Sequence, residues 1–138
     1  MNVRPRRGWF RIDLPSTWTS DARDTWTSPA GGVLEVSEVF RSSAAIDPDS
    51  LVELHESWCE AQSLHSHETR IEQLPSGVLM VRSYGETKHD AFLMAGHFTW
   101  NGRLARLSFR TRLVALRDED LAEVLAAFLE LHPTETPS

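Results

Sequence analysis

One dipeptide constrains this chain more than any other feature. Asn101-Gly102 sits between two runs of ten alternating residues, "AFLMAGHFTW" before it and "RLARLSFRTR" after it. Asn-Gly flanked by alternating apolar and polar residues predicts a two-residue type I′ β-hairpin, because both turn positions need positive φ. A two-residue loop fixes the register, so Trp100 opposes Arg103 and each step outward pairs the next two residues. One face of the hairpin is then Phe92, Met94, Gly96, Phe98 and Trp100 with Ala105, Leu107 and Phe109, which reads as core. Gly96, opposite Leu107, leaves room there for a bulky side chain from a helix. The other face carries Leu93, Ala95, His97, Leu104, Arg106, Ser108, Arg110 and Arg112.

Further strands follow from the same alternation. "WFRIDL" (9–14) sets Phe10, Ile12 and Leu14 against Trp9, Arg11 and Asp13, and Pro15 ends it. Short strands are expected around Trp26 and over 33–40, with a turn at Pro29, Gly31 and Gly32 between them. "TRIEQL" (69–74) and "VLMVRSYGE" (78–86) read as strands separated by Pro75-Ser76-Gly77. Two segments have helical spacing. The first opens at Asp47, a good N-cap, with Pro48 at the first helical position and an apolar stripe of Leu51, Leu54, Trp58 and Ala61. The second is "DEDLAEVLAAFLELH", capped by Asp118, with a stripe of Leu121, Val124, Leu125, Phe128 and Leu131. The expected fold is α+β: an antiparallel sheet of about six strands packed with two main helices.

At 138 residues the chain is of single-domain size. We expect a basic N-terminal tail over 1–7, one α+β domain over 8–132 and a disordered C-terminal tail over 133–138. Arg4, Arg6 and Arg7 read as a solvated end, and a net charge of −6 argues against nucleic-acid binding. No apolar run reaches the roughly 20 residues of a membrane helix, and the start lacks the apolar core of a secretory signal. A lone cysteine forms no internal disulfide, so a cytoplasmic location is expected.

The stretch "LHESWCEAQSLHSH" gathers His55, Cys59, His65 and His67. His55 and Cys59 lie four apart, neighbours on one flank of the helical stripe, and His65-x-His67 follows. The spacing matches no zinc signature, and Cys59 stands where H-E-x-x-H would need its second histidine. We therefore expect no metal and no cofactor, with Cys59 a small buried hydrophobe and His65 and His67 in the loop entering the next strand. A Cys59–His55 nucleophile lacks an orienting third group, and no other catalytic motif is present, so the chain reads as more a binder than an enzyme.

The constellation that stands out is on the second sheet face. Pairing Glu86 with Ala91 across the loop puts Met80, Arg82 and Tyr84 beside His97, Ala95 and Leu93. Arg82, Tyr84, His97, Arg106 and Arg110 then share one cationic surface, our expected binding site. The expected partner is another protein, by an adaptor or chaperone-like role. The alternative is an anionic small molecule held by the arginines, with His97 as acid or base. A homodimer, by edge-strand pairing or by this same face, is also compatible.

The strand ending "FRIDLPSTW", with Pro15 and Trp18, the helix opening "DPDSLVELHESW", the strand meander and the final helix together resemble the PsbP-like and DcrB-like α/β sandwich families over about residues 8 to 132. The spacer in "LPSTW" is longer than in their proline–one residue–glycine–tryptophan pattern and lacks its glycine. The resemblance implies helices on both sides of the sheet and a mostly non-enzymatic role, as assembly factors, small-GTPase-binding factors, envelope lipoproteins or chaperones for secreted effectors; it carries over no catalytic residue.

Overall fold

The computed structural model describes residues 2–3, 9–22, 24–38 and 46–134. The expected arm at Arg4, Arg6 and Arg7 lies outside these. Strands β1 (Asn2–Val3), β2 (Phe10–Asp13), β3 (Thr19–Ala22), β4 (Thr25–Thr27) and β5 (Val33–Glu38) precede helix α1 (Pro48–Ala61). Then come β6 (His65–Gln73), β7 (Leu79–Glu86), β8 (Ala91–Trp100), β9 (Arg103–Arg112), helix α2 (Asp118–Leu129) and β10 (His132–Pro133).

Among the described residues the main sheet has seven strands in the order β3-β4-β5-β9-β8-β7-β6, and β1, β2 and β10 form a separate small sheet. All pairings are antiparallel. Asn101 and Gly102 both have positive φ, and Trp100 pairs with Arg103 as the Asn-Gly turn requires. The large core lies between one sheet face and the layer of β2 and α2. It holds Phe92, Met94, Phe98, Ala105, Leu107 and Phe109 with Trp9, Trp18, Trp26, Val124 and Phe128. Packing at Gly96 is tight, since a Cβ there would lie 3.0 Å from the Phe128 ring. The helix neighbour expected opposite Gly96 is thus Phe128.

The other face is only half covered. Helix α1 lies across β7 and β8, enclosing a second small core of Leu51, Val81 and Leu104. Strand β8 is therefore buried on both faces along nearly its whole length. Beyond it, on the α1 side, β9 and β5 stay open to solvent at Arg110, Val33 and Glu35.

The turns expected at 29–32 and 75–77 are present, and several other local expectations are corrected. The Ser28–Gly32 and Leu74–Val78 turns are three-residue loops whose last residue, Gly31 or Gly77, has positive φ. The β7–β8 turn has the same form: Thr87 bonds Ala91, and Asp90 takes the left-handed position at φ 54°. This three-residue loop pairs Glu86 with Phe92, not with Ala91. A one-residue slip moves every side chain to the opposite face. Met80, Arg82 and Tyr84 consequently face the α2 side, with Phe98, Gly96 and Met94 as their neighbours.

Asp47 caps α1 as expected, accepting from the Ser50 N–H at 2.8 Å. The buried line of α1 is Leu51, His55 and Cys59, whereas Ala61 is exposed. His55 thus lies on the inward stripe instead of its flank, because the sheet beneath offers it hydrogen-bond partners. Asp118 is the first residue of α2 and Arg117 its cap position, without a side-chain cap bond. Asp118, Glu119 and Asp120 instead place negative charge on the helix N-terminus. His65 and His67 fall inside β6, not in a loop. The chain beyond His132 does not leave the domain at once: His132 and Pro133 pair with Arg11 and Phe10, and the Thr134 N–H donates to Trp9 O. At the other end, Asn2 and Val3 pair with Asp13 and Ile12.

Candidate functional site

The register divides the expected cationic surface in two. Arg82 and Tyr84 belong to the α2 side. There Arg82 Nη2 lies 2.9 Å from Glu72, and the Tyr84 ring packs 6.2 Å from Phe92. Val81 and Ser83 replace them on the α1 side. His97, Arg106 and Arg110 do share that side, in three different environments.

His97 is fully buried beneath α1. Its Nδ1 lies 2.9 Å from His55 Nδ1, so one ring must donate and the other accept. His55 Nε2 lies 2.7 Å from Ser83 Oγ, and Ser83 Oγ lies 2.8 Å from Thr69 Oγ1. Cys59 Sγ approaches the same His55 nitrogen at 3.5 Å. A polar chain thus runs from edge strand β6 to the centre of the sheet. It ends at His97 Nε2, which has no partner among the described residues, with the ring set edge-on to Trp58 at 5.6 Å and 72°.

This environment keeps both histidines neutral. Burial pushes His55 down to about 4. Burial, then the nearby His55 and Arg106, push His97 down to about 3. Burial, reinforced by Glu56, raises the Cys59 thiol to about 11. A nucleophilic cysteine needs a thiolate beside a cation, and here a thiol lies beside a neutral imidazole. The contact replaces one of the water hydrogen bonds that each ring loses on burial and leaves His97 Nε2 without a partner among the described residues. Cys59 meets Nε2 of His55 while His97 meets Nδ1, so the three groups do not converge on one point. Among the described residues, no group of three or more His, Cys, Asp or Glu side chains is placed to hold a metal ion.

Above this buried chain the surface opens. A cleft of about 350 Å³ lies between the C-terminal half of α1 and strands β9 and β5. Trp58 and Gln62 form its helical wall, one turn apart, and Arg106, Ser108, Arg110, Val33 and Glu35 form its floor. Arg106 stacks over Trp58 with its guanidinium carbon 4.6 Å from the ring centroid. A cation so placed gains about 0.5–2 kcal/mol and is held in one orientation. Arg110 Nη2 donates to Gln62 Oε1 at 3.0 Å. Both arginines are thereby positioned by the helix, each against a different side chain. Being four residues apart on a strand, their Cα atoms are separated by about 13 Å. Burial lowers the pKa of the Arg106 guanidinium, and the negative charge of Glu35 opposes that shift.

Trp58, Gln62 and Ser108 line this cleft, and the sequence pattern did not single them out. Trp58 was assigned to the apolar stripe, and its place at the rim follows from His55 turning inward. Gln62 comes just after the helix and owes its role to the β9 register.

No family model matches the chain, and no curated protein matches it. Among solved structures it is similar to the solution structure of cyanobacterial PsbP from Synechocystis sp. PCC 6803. The TM-score is 0.54 at 10% identity, over 96% of this chain and 91% of that one. The likeness establishes a PsbP-like α+β fold. No helix among the described residues is long and apolar enough to cross a membrane.

Proposed function

We propose that this protein is a non-catalytic docking module that holds an extended acidic segment of another protein in the cleft between α1 and β9. The observation that carries the reading is that two arginines on one strand are each held by a different partner, Arg106 by Trp58 of α1 and Arg110 by Gln62 just after it. Their Cα atoms are about 13 Å apart along the strand. Two cations held separately along a strand suit successive carboxylates of an extended chain. Arg forks match carboxylates, and Trp and Arg are the residue types that dominate binding energy. His97 is fully buried under α1, which favours binding over acid–base chemistry in the cleft. An adaptor or chaperone-like role in the cytoplasm follows from this reading, and one unpaired cysteine suits that compartment.

The test is an NMR titration of the ¹⁵N-labelled protein with Asp/Glu-rich peptides and, separately, with citrate and inorganic phosphate. Docking of an acidic segment predicts shifts in the Val33, Glu35, Arg106, Ser108 and Arg110 amides with peptide at low salt. It also predicts their absence in Arg106→Glu/Arg110→Glu. Saturable shifts with the small anions alone would transfer the site to an anionic metabolite.

A further inference from the structure

Among the described residues, strand β6 is the last strand of the main sheet and has no neighbour beyond it there. Exposed sheet edges are usually blunted by like charges, bulges or prolines. This edge carries a bulge between Ser66 and Glu68 and Pro75 just past its end, but between them runs a regular stretch from Glu68 to Gln73. At its centre is Ile71, one of three large hydrophobic side chains exposed among the described residues, at 44%.

The backbone of this stretch is poised to pair. The Leu74 N–H donates to Val78 O, so Leu74, Glu72 and Arg70 turn their backbone groups toward β7. Gln73, Ile71 and Thr69 then turn theirs outward. Ile71 pairs with Val81, so its side chain lies on the α1 face, whereas Arg70 and Glu72 lie on the other face.

We infer that β6 is a self-complementary edge that pairs antiparallel with β6 of a second copy, centred on Ile71. In that register Ile71 meets Ile71 of the second copy. Arg70 meets Glu72, and Glu72 meets Arg70. Thr69 and Gln73 close the ladder on either side, giving about six main-chain hydrogen bonds. Glu72, whose direct partner in β7 is Met80, already reaches Arg82 diagonally at 2.9 Å, so in the dimer each Glu72 would stand between Arg82 and the second copy's Arg70, a carboxylate between two cations.

Charge selects this register over its neighbours. Centring on Arg70 would set Arg70 against Arg70 and Glu68 against Glu72, which repel. Centring on Thr69 would run the ladder into the bulge. The proposal is independent of the docking cleft, which lies at β9 and β5, three strands away from β6. A dimer built this way leaves both clefts open.

A ladder this short makes a weak, reversible dimer. Sedimentation velocity from about 10 µM to 1 mM should show the mean mass rising toward two chains at the high end. Ile71→Lys and Arg70→Glu should each hold the protein at one chain with an unchanged circular-dichroism spectrum. Arg70→Glu/Glu72→Arg restores complementarity and should recover at least part of the association. As a second readout, oxidised Ile71→Cys should form a disulfide-linked dimer, and Val114→Cys, 85% exposed away from the edge, should not. A single-chain mass at every concentration, a dimer indifferent to Ile71→Lys, or equal cross-linking of the two cysteine variants would each overturn the proposal.

Discussion

Acid should loosen this protein earlier than its carboxylates alone would dictate. His55 and His97 are buried as a neutral pair, at about 4 and about 3, against 6.5 in the unfolded chain. The unfolded state therefore binds more protons across that window. Their contribution to stability is complete above pH 6.5 and is lost progressively as the pH falls toward 4. At pH 5 protonation favours the unfolded chain by about 2 kcal/mol per histidine, or about 4 kcal/mol for the pair. The whole stability of a domain is only about 5–15 kcal/mol, so the loss is large. Carboxylates contribute little above pH 5 because they are ionised in both states. The assay is urea unfolding at half-unit steps from pH 7 to pH 5, for the wild type and for His55→Asn/His97→Asn. The wild type should lose about 3–4 kcal/mol across that range. The variant starts lower but should stay nearly flat. Should the variant not fold, the imidazole ring protons of the two histidines provide the same test by NMR. A wild-type loss below about 1 kcal/mol, or titration of either ring near its ordinary value, would refute the buried-neutral-pair argument.

Other expectations follow from packing and capping. Gly96→Val should cost about 2–3 kcal/mol, because even a Cβ would lie 3.0 Å from Phe128; pairing it with Phe128→Leu should recover part of the loss in a double-mutant cycle. Asp47→Ala should remove about 1 kcal/mol through loss of the bond to the Ser50 N–H, measured by denaturant midpoint at constant slope. Cys59, with its thiol at about 11, should react with a disulfide reagent at pH 8 about a hundredfold more slowly than an exposed cysteine. Prompt stoichiometric labelling would contradict its burial.

The sequence disclosed elements and one register, and it hid the site for identifiable reasons. Asn101-Gly102 announces its loop length, so the β8–β9 pairing and the core face could be read residue by residue. Pro29-Ala30-Gly31 and Pro75-Ser76-Gly77 place glycine where their three-residue loops need positive φ. The β7–β8 loop puts Asp90 at that position, and nothing in "TKHD" distinguishes three loop residues from four. That single residue carries Arg82 and Tyr84 to the wrong face of the site. His55 is a second instance. Apolar periodicity placed it beside the stripe, but Ser83 and His97, 28 and 42 residues away, draw it inward. Trp58 moves to the cleft rim as a result, which no local pattern encodes. The small β1-β2-β10 sheet joins the two ends of the chain, a pairing with no local turn to reveal it.

The docking account stands or falls on affinity capture from native lysate, at low and moderate salt, with three forms of the protein. It predicts a stoichiometric acidic partner with the wild type, weakened by salt, lost with Arg106→Glu/Arg110→Glu and retained with Arg82→Gln on the opposite face. A partner that persists with Arg106 and Arg110 reversed, or that depends on Arg82 instead, would contradict it.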